Sequence, residues 1–161
     1  MVYPFTPQQA ISDAIIKASY IPVFCGVGGG DDQRVTYSVS CQRCGITGSY
    51  GCGTECTDLN LLAVSSAVDI PVIVTVTKED TDIRARLEAG VSVLNIACGH
   101  QTCEVVRKLR AEYPGVPLIA SGGNTEETVL DTILAGANAI TYTLPSVQDM
   151  FKQWMATYRE E

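Results

Sequence analysis

Three stretches of the chain begin alike: "IPVFCGVGGG" from Ile21, "IPVIVTVTKED" from Ile70 and "VPLIASGGNTE" from Val116, spaced by 49 and 46 residues. Each is a short apolar run that opens on a proline and closes on glycines or polar residues. Proline fixes φ and removes a donor, which suits the start of a strand and not its middle. Pro22, Pro71 and Pro117 therefore mark strand starts. A second boundary recurs between these runs, at Cys44-Gly45-Ile46, Ala89-Gly90-Val91 and Ala135-Gly136-Ala137, each ending a helical pattern and opening another apolar run. Glycine at a helix stop adopts left-handed backbone geometry without a Cβ clash. Of the helices between, "DTDIRARLEAG" sets Ile83 and Leu87 four apart and "TEETVLDTILAG" groups Val129, Ile133 and Leu134, so both are amphipathic.

The pattern predicts strand, helix, glycine, strand, helix three times over: six strands alternating with six helices, after an N-terminal helix around Gln8 to Ala18. Strands such as "PVIVTV" and "VSVLNIA" are apolar on nearly both faces, as in parallel sheets covered by helices. The fold class is α/β with a parallel sheet of three (βα)2 repeats. Two closures fit it. One is a reduced, TIM-barrel-like fold, two strands short of the standard eight. The other is an open, doubly wound, flavodoxin-like sheet, which also takes its ligands at the strand carboxyl ends.

At 161 residues and 46% hydrophobic content, the expectation is one domain over residues 1–161. No apolar run approaches the ~18 residues of a membrane span, and "MVYPFTPQQ" lacks the pattern of a signal peptide, so a soluble cytoplasmic protein is expected, with no membrane partner. A net charge of -7 argues against a nucleic-acid surface. It leaves room for a small anion, which backbone N–H groups hold without basic side chains.

Candidate chemistry collects at the predicted strand ends. In "LIASGGNTEET", Ser121, Gly122 and Gly123 follow a strand, and Asn124 or Thr125 can cap the next helix. Gly-Gly there lets a phosphate approach the main chain with no Cβ in the way, at a helix N-terminus whose dipole favours an anion; a tight strand-to-helix turn would use the same two glycines. In the first repeat, "CGVGGGDD" places Gly28 and Gly29 in a flexible loop before Asp31 and Asp32, a pair suited to acid–base work or a divalent cation, or simply to capping a helix. No resident cofactor is predicted. Lys78 ends the equivalent run of the second repeat and is a candidate for Schiff-base or oxyanion chemistry, or a solvated loop lysine. Asn95 lies inside an apolar strand, where its amide must find partners. His100, the one histidine, follows Cys98-Gly99 and offers a thiol its base, although two residues apart in a turn is poor geometry for a dyad. Seven cysteines without an export signal imply free thiols; Cys41, Cys44, Cys52 and Cys56 approach zinc-site spacing, but the repeat phase scatters them over different elements.

A resemblance bears on the closure. "VPLIASGGNTEETVLDTILAGANAITYT" resembles the last two strands of phosphate-binding TIM barrels, and "ARLEAGVSVLNIACGHQTCEVVRKLRAEYPGVPLIASGG" is similar in layout to the inosine monophosphate dehydrogenase and N-acylmannosamine-6-phosphate epimerase barrels. Over its full length the chain resembles short bacterial barrel-like proteins known by the word hydrolase. The resemblance implies a barrel, a phosphorylated small-molecule ligand, a phosphate loop at Gly122 and Gly123, and hydroxyl donors at Thr141 and Thr143. The dehydrogenase's cysteine loop has no counterpart in "GCGTECT", so its chemistry does not transfer. The epimerase implies a lysine base, for which Lys78 is the candidate. A sheet short of closure also implies a homo-oligomer, because open edges invite pairing, and Phe151, Trp154 and Met155 make an apolar helix face that serves either as contact or as core.

Overall fold

The boundaries at Pro71, Gly90, Pro117 and Gly136 fall where strands and helices change in the computed structural model, which describes residues 9–26, 51–54, 64–123, 125–142 and 147–160, so that the Cys44-Gly45-Ile46 boundary lies outside it. Helix α1 spans Gln9–Ala18, and strands β1 and β2 span Phe24–Gly26 and Gly51–Thr54. Next come β3 (Val72–Val76), α2 (Ile83–Glu88), β4 (Val93–Ile96), a 3-10 turn (Gly99–Gln101) and α3 (Thr102–Glu112). The chain continues through β5 (Leu118–Ser121), α4 (Glu126–Leu134), β6 (Ala139–Thr141) and α5 (Val147–Glu160). Strands β3 and β5 begin one residue after Pro71 and Pro117, and Gly90 and Gly136 take φ of 91° and 110° just past the helices they end.

All six strands are parallel and lie in the order β1-β2-β3-β4-β5-β6. Each pairs with its neighbours in sequence, so every connection steps the same way around the sheet. A doubly wound sheet reverses direction at an internal strand. The flavodoxin-like alternative is therefore wrong, and the fold is an incomplete, TIM-barrel-like α/β structure. Among the described residues no helix is long and apolar enough to cross a membrane.

Register fixes what each face of the sheet carries. Side chains alternate along a strand, and parallel partners share a face. Val72, Val74, Val76, Leu94, Ile96, Leu118 and Ala120 form one face and pack with Ile83, Val105, Val106 and Leu109 from the helices. On the opposite face lie Ile73, Thr75, Asn95, Ile119, Ser121 and Thr141. Ile73 is fully buried yet stands outside the helix-side cluster, which identifies this second face as the inside of the curved sheet.

At the amino-terminal edge, Arg110 ties two units together. Its guanidinium donates to Gly136 O at 2.9 and 3.0 Å, Pro114 O at 2.8 Å, Val116 O at 3.0 Å and Asn138 Oδ1 at 2.6 Å. Asn138 Oδ1 also accepts from Leu118 N at 2.9 Å. The planar fork thus joins the turn entering β5 to the turn entering β6.

The apolar face expected for α4 is corrected. Ile133 and Leu134 are exposed, whereas Thr132 is buried and Val129 half-buried. Space decides this: a Cβ at Gly122 would lie 2.9 Å from Val129 Cγ2, so the helix sits tight on the β5 turn through Val129. The grouping on α2 holds, with Ile83 buried and Leu87 packed against the core.

Candidate functional site

Because the strands are parallel, their carboxyl ends share one edge, and on the inner face that edge is polar. Thr75 and Asn95 are register partners on β3 and β4, and Asn95 Nδ2 donates to Thr75 Oγ1 at 3.2 Å. Ser121 and Thr141 are register partners at the last residues of β5 and β6, their hydroxyls 3.3 Å apart. Thr141 Oγ1 also donates to Ala120 O at 3.3 Å. Asn95 is buried, and the three hydroxyl residues are half-buried. Two hydrogen-bonded pairs thus line the strand ends, Thr75 and Asn95 one residue layer above the apolar Ile73, Ser121 and Thr141 one layer further toward the carboxyl edge.

Gly122 and Gly123 follow the second pair. The N–H of Gly122 donates to Thr141 O at 3.4 Å. A Cβ on Gly122 would meet Ile140 Cγ2 at 2.6 Å, and Gly123, with φ 78°, would meet Thr128 Oγ1 at 2.6 Å. The strand-to-helix turn alone therefore requires both glycines. Thr125 caps α4 reciprocally with Thr128: Thr128 N donates to Thr125 Oγ1 and Thr125 N to Thr128 Oγ1, both at 3.3 Å. Two helix-end donors are thereby occupied, and Glu126 and Glu127 fill the first turn with negative charge. What stays open to an anion is the hydroxyl pair, the Gly123 main chain and the remaining N–H groups of that turn.

Lys78 is exposed beyond β3; its carbonyl accepts from Thr81 Oγ1 at 2.8 Å. His100 is exposed on the 3-10 turn. Cys98 is buried, and its Sγ donates to Val76 O at 3.4 Å. Burial, reinforced by the Glu79 carboxylate, pushes the Cys98 thiol above its ordinary range, while a bond from the Ala97 backbone acts the other way. The thiol thus spends its hydrogen on a main-chain carbonyl of β3, and no hydrogen bond joins it to His100 among the described residues. Gly28, Gly29, Asp31, Asn124 and Thr143 lie outside the described residues, as do Cys41, Cys44 and Cys56; of Cys52 only the strand backbone is described. Among the described residues, no three His, Cys, Asp or Glu side chains come together as a metal site.

Thr75 stands at the same strand end as Lys78 and completes the inner layer through its bond with Asn95. Its signal was present: it breaks the apolar run "VIVTV", 20 residues before Asn95, which breaks "VLNI" at the equivalent position.

No protein-family model matches the chain. It is 35% identical over 88 residues to inosine-5'-monophosphate dehydrogenase of Borreliella burgdorferi, covering 53% of this chain and 21% of that protein. With the same enzyme of Halalkalibacterium halodurans it shares 43% identity over 67 residues, 38% of this chain and 14% of that protein. The chain thus matches about a fifth or less of the length of these curated relatives. Among solved structures, a 2,3-dimethylmalate lyase of the PEP mutase/isocitrate lyase superfamily superposes with a TM-score of 0.70 at 15% identity, over 94% of this chain and 64% of that one. Dihydrodipicolinate synthase from Aquifex aeolicus gives 0.66 at 14% identity, over 86% and 54%. At such identities these structures bear on the fold alone.

Proposed function

We propose that the chain is a barrel-type enzyme acting on a phosphorylated small molecule, with the phosphate held at the carboxyl ends of β5 and β6. The observation that carries this is the Ser121–Thr141 hydroxyl pair beside Gly122 and Gly123, at adjacent strand ends of a barrel-like sheet. Barrels of this class commonly hold phosphate at the loops of their last strands. The local identity with inosine-5'-monophosphate dehydrogenases, whose name contains a phosphorylated substrate, supports the same ligand class. Hydrolysis draws no support from these relatives, so the reaction is left at the level of small-molecule chemistry.

A second function, ligand binding without turnover, is favoured by one observation. The polar groups of the inner edge are hydrogen-bonded to one another, while Lys78 and His100 stand exposed. Self-association belongs to either function, because β6 ends the described sheet and Phe151, Trp154 and Tyr158 on α5 are exposed.

The test is thermal unfolding with inorganic phosphate, sugar phosphates and nucleoside monophosphates. A ligand at about 100 times its Kd stabilises the native state by roughly 2.7 kcal/mol. One compound class should raise Tm by several degrees, and Ser121→Ala with Thr141→Val should remove most of that rise. Those two substitutions leave the glycine turn intact, as Gly123 variants would not. Absence of a shift with every phosphorylated compound sinks the proposal; a shift without turnover selects the binding protein.

A further inference from the structure

The inner face of the sheet changes character layer by layer. Its lower part is apolar: Ile73 is fully buried, and its register partners across β2 and β1 are Gly53 and Gly26. The next layer toward the carboxyl edge holds Thr75, Asn95, Ile119 and Ala139, and the one above it holds Ser121 and Thr141. Thr75 and Asn95 are therefore the deepest polar side chains on this face among the described residues. Exposure follows the same order. Asn95 is only 4% exposed, whereas Thr75, Ser121 and Thr141 are half-buried, so the face opens toward the carboxyl edge and the pair stands where it begins to open.

The hydrogen bonds single out Thr75. A threonine hydroxyl has one hydrogen to give and two lone pairs. Asn95 Nδ2 donates to Thr75 Oγ1 at 3.2 Å, which occupies one lone pair and leaves the hydrogen unspent. Thr132 Oγ1 gives its hydrogen to Thr128 O at 2.7 Å and Thr141 Oγ1 to Ala120 O at 3.3 Å; for that of Thr75 no acceptor is found among the described residues. Its β-branched side chain is stiff at χ1, and the buried Asn95 amide holds it further, so this donor is fixed in place before any ligand arrives.

We infer that Thr75, held by Asn95, is a specificity-determining residue that donates to an uncharged oxygen, a hydroxyl or a carbonyl, at the end of the ligand remote from its phosphate. This rests on the phosphate site proposed at β5 and β6. Asn95 pairs with Ile119, two residues before Ser121, and Thr75 lies one strand further away. At ~4.8 Å between strands and ~3.3 Å per residue, Ser121 is about 8 Å from Asn95 and about 12 Å from Thr75 between Cα atoms. The ligand is then a phosphate ester of a polyhydroxylated or oxo compound long enough to reach from β5 to β3. An uncharged oxygen is selected because the layer of Thr75, Asn95, Ile119 and Ala139 holds no charged side chain, and an unpaired charge costs far more to bury than an oxygen that meets a donor.

The test is a thermal-unfolding titration of the full chain with inorganic phosphate, n-pentyl phosphate and ribose 5-phosphate. Wild type is expected to bind ribose 5-phosphate more tightly than the pentyl ester. Thr75→Val should erase that preference, weakening the sugar ester about 2- to 10-fold, the equivalent of one neutral hydrogen bond, with inorganic phosphate bound as before. Thr75→Ser should keep the preference; its loss there as well would mark the effect as packing and overturn the assignment. Equal binding of the two esters by wild type, or a preference that survives Thr75→Val, overturns it too and leaves the phosphate site standing. No shift with any of the three compounds overturns the phosphate site, and this inference with it. Should Thr75→Val not fold, the Asn95 side-chain amide resonances of the wild type decide the matter: movement with ribose 5-phosphate and not with the pentyl ester supports the contact, and any other result overturns it.

Discussion

Gly122 is held by two contacts that leave no room for a methyl group, Ile140 Cγ2 at 2.6 Å and Val129 Cγ2 at 2.9 Å from an ideal Cβ. Gly122→Ala is expected to cost about 1–3 kcal/mol, the usual range for overpacking, read as a lower urea midpoint with or without phosphate. A loss appearing only in the presence of phosphate would instead mark the position as purely ligand-facing. Proline and glycine boundaries were legible in the sequence because their backbone restrictions act locally. The Thr75–Asn95 and Ser121–Thr141 pairs were only half legible, because each needs a register between strands 20 residues apart. Cys98 gives a second expectation at this scale. A thiol raised by burial is protonated more readily in the native than in the unfolded chain, so its contribution is complete below the ordinary thiol range. It is lost as pH rises through the raised native value. Stability should therefore fall above about pH 8.5 more steeply in wild type than in Cys98→Ala. Parallel pH profiles for the two proteins would contradict this.

Helix α4 shows what decides an element. Its start was readable as Asn124 or Thr125 with an acidic first turn, and the structure gives Thr125 with Thr128 as its reciprocal partner. Thr125→Ala should cost about 1 kcal/mol by urea denaturation, with Thr128→Ala adding little beyond it, because the two side chains act as one unit. Additive losses would mean that each caps independently. The inward face of α4 was misread because hydrophobicity names the residues able to be buried, whereas contact with Gly122 fixes which ones are. At the other edge of the sheet, Arg110 reaches Gly136, 26 positions further along the chain, a relation no local pattern carries. Arg110→Ala should lower stability by about 2 kcal/mol or more, since it strands part-buried carbonyls of Gly136 and Val116. Arg110→Lys should recover only part of that, because an ammonium cannot reproduce the planar fork. Full rescue by lysine would show that charge alone matters.

For the whole molecule, local pattern gave a parallel α/β sheet and left its closure undecided, because strand order is set by partners that no single repeat specifies. The resemblance to barrels and the observed order agree. The exposed aromatic face of α5 makes its own expectation: Trp154 is the only tryptophan in the chain and is 70% exposed in the single chain. If α5 is a contact between copies, sedimentation at rising concentration should show a heavier species while tryptophan emission shifts to the blue. Emission unchanged across that range would remove α5 from the contact. The order of the strands has a further consequence, in time rather than in space. Since each described strand bonds to the strands just before and after it in the chain, every pairing among the described strands closes a short loop without waiting for a distant partner. Such a sheet assembles like a zipper from any internal unit, and shortening it by one βα step removes a tooth without unmeshing the rest.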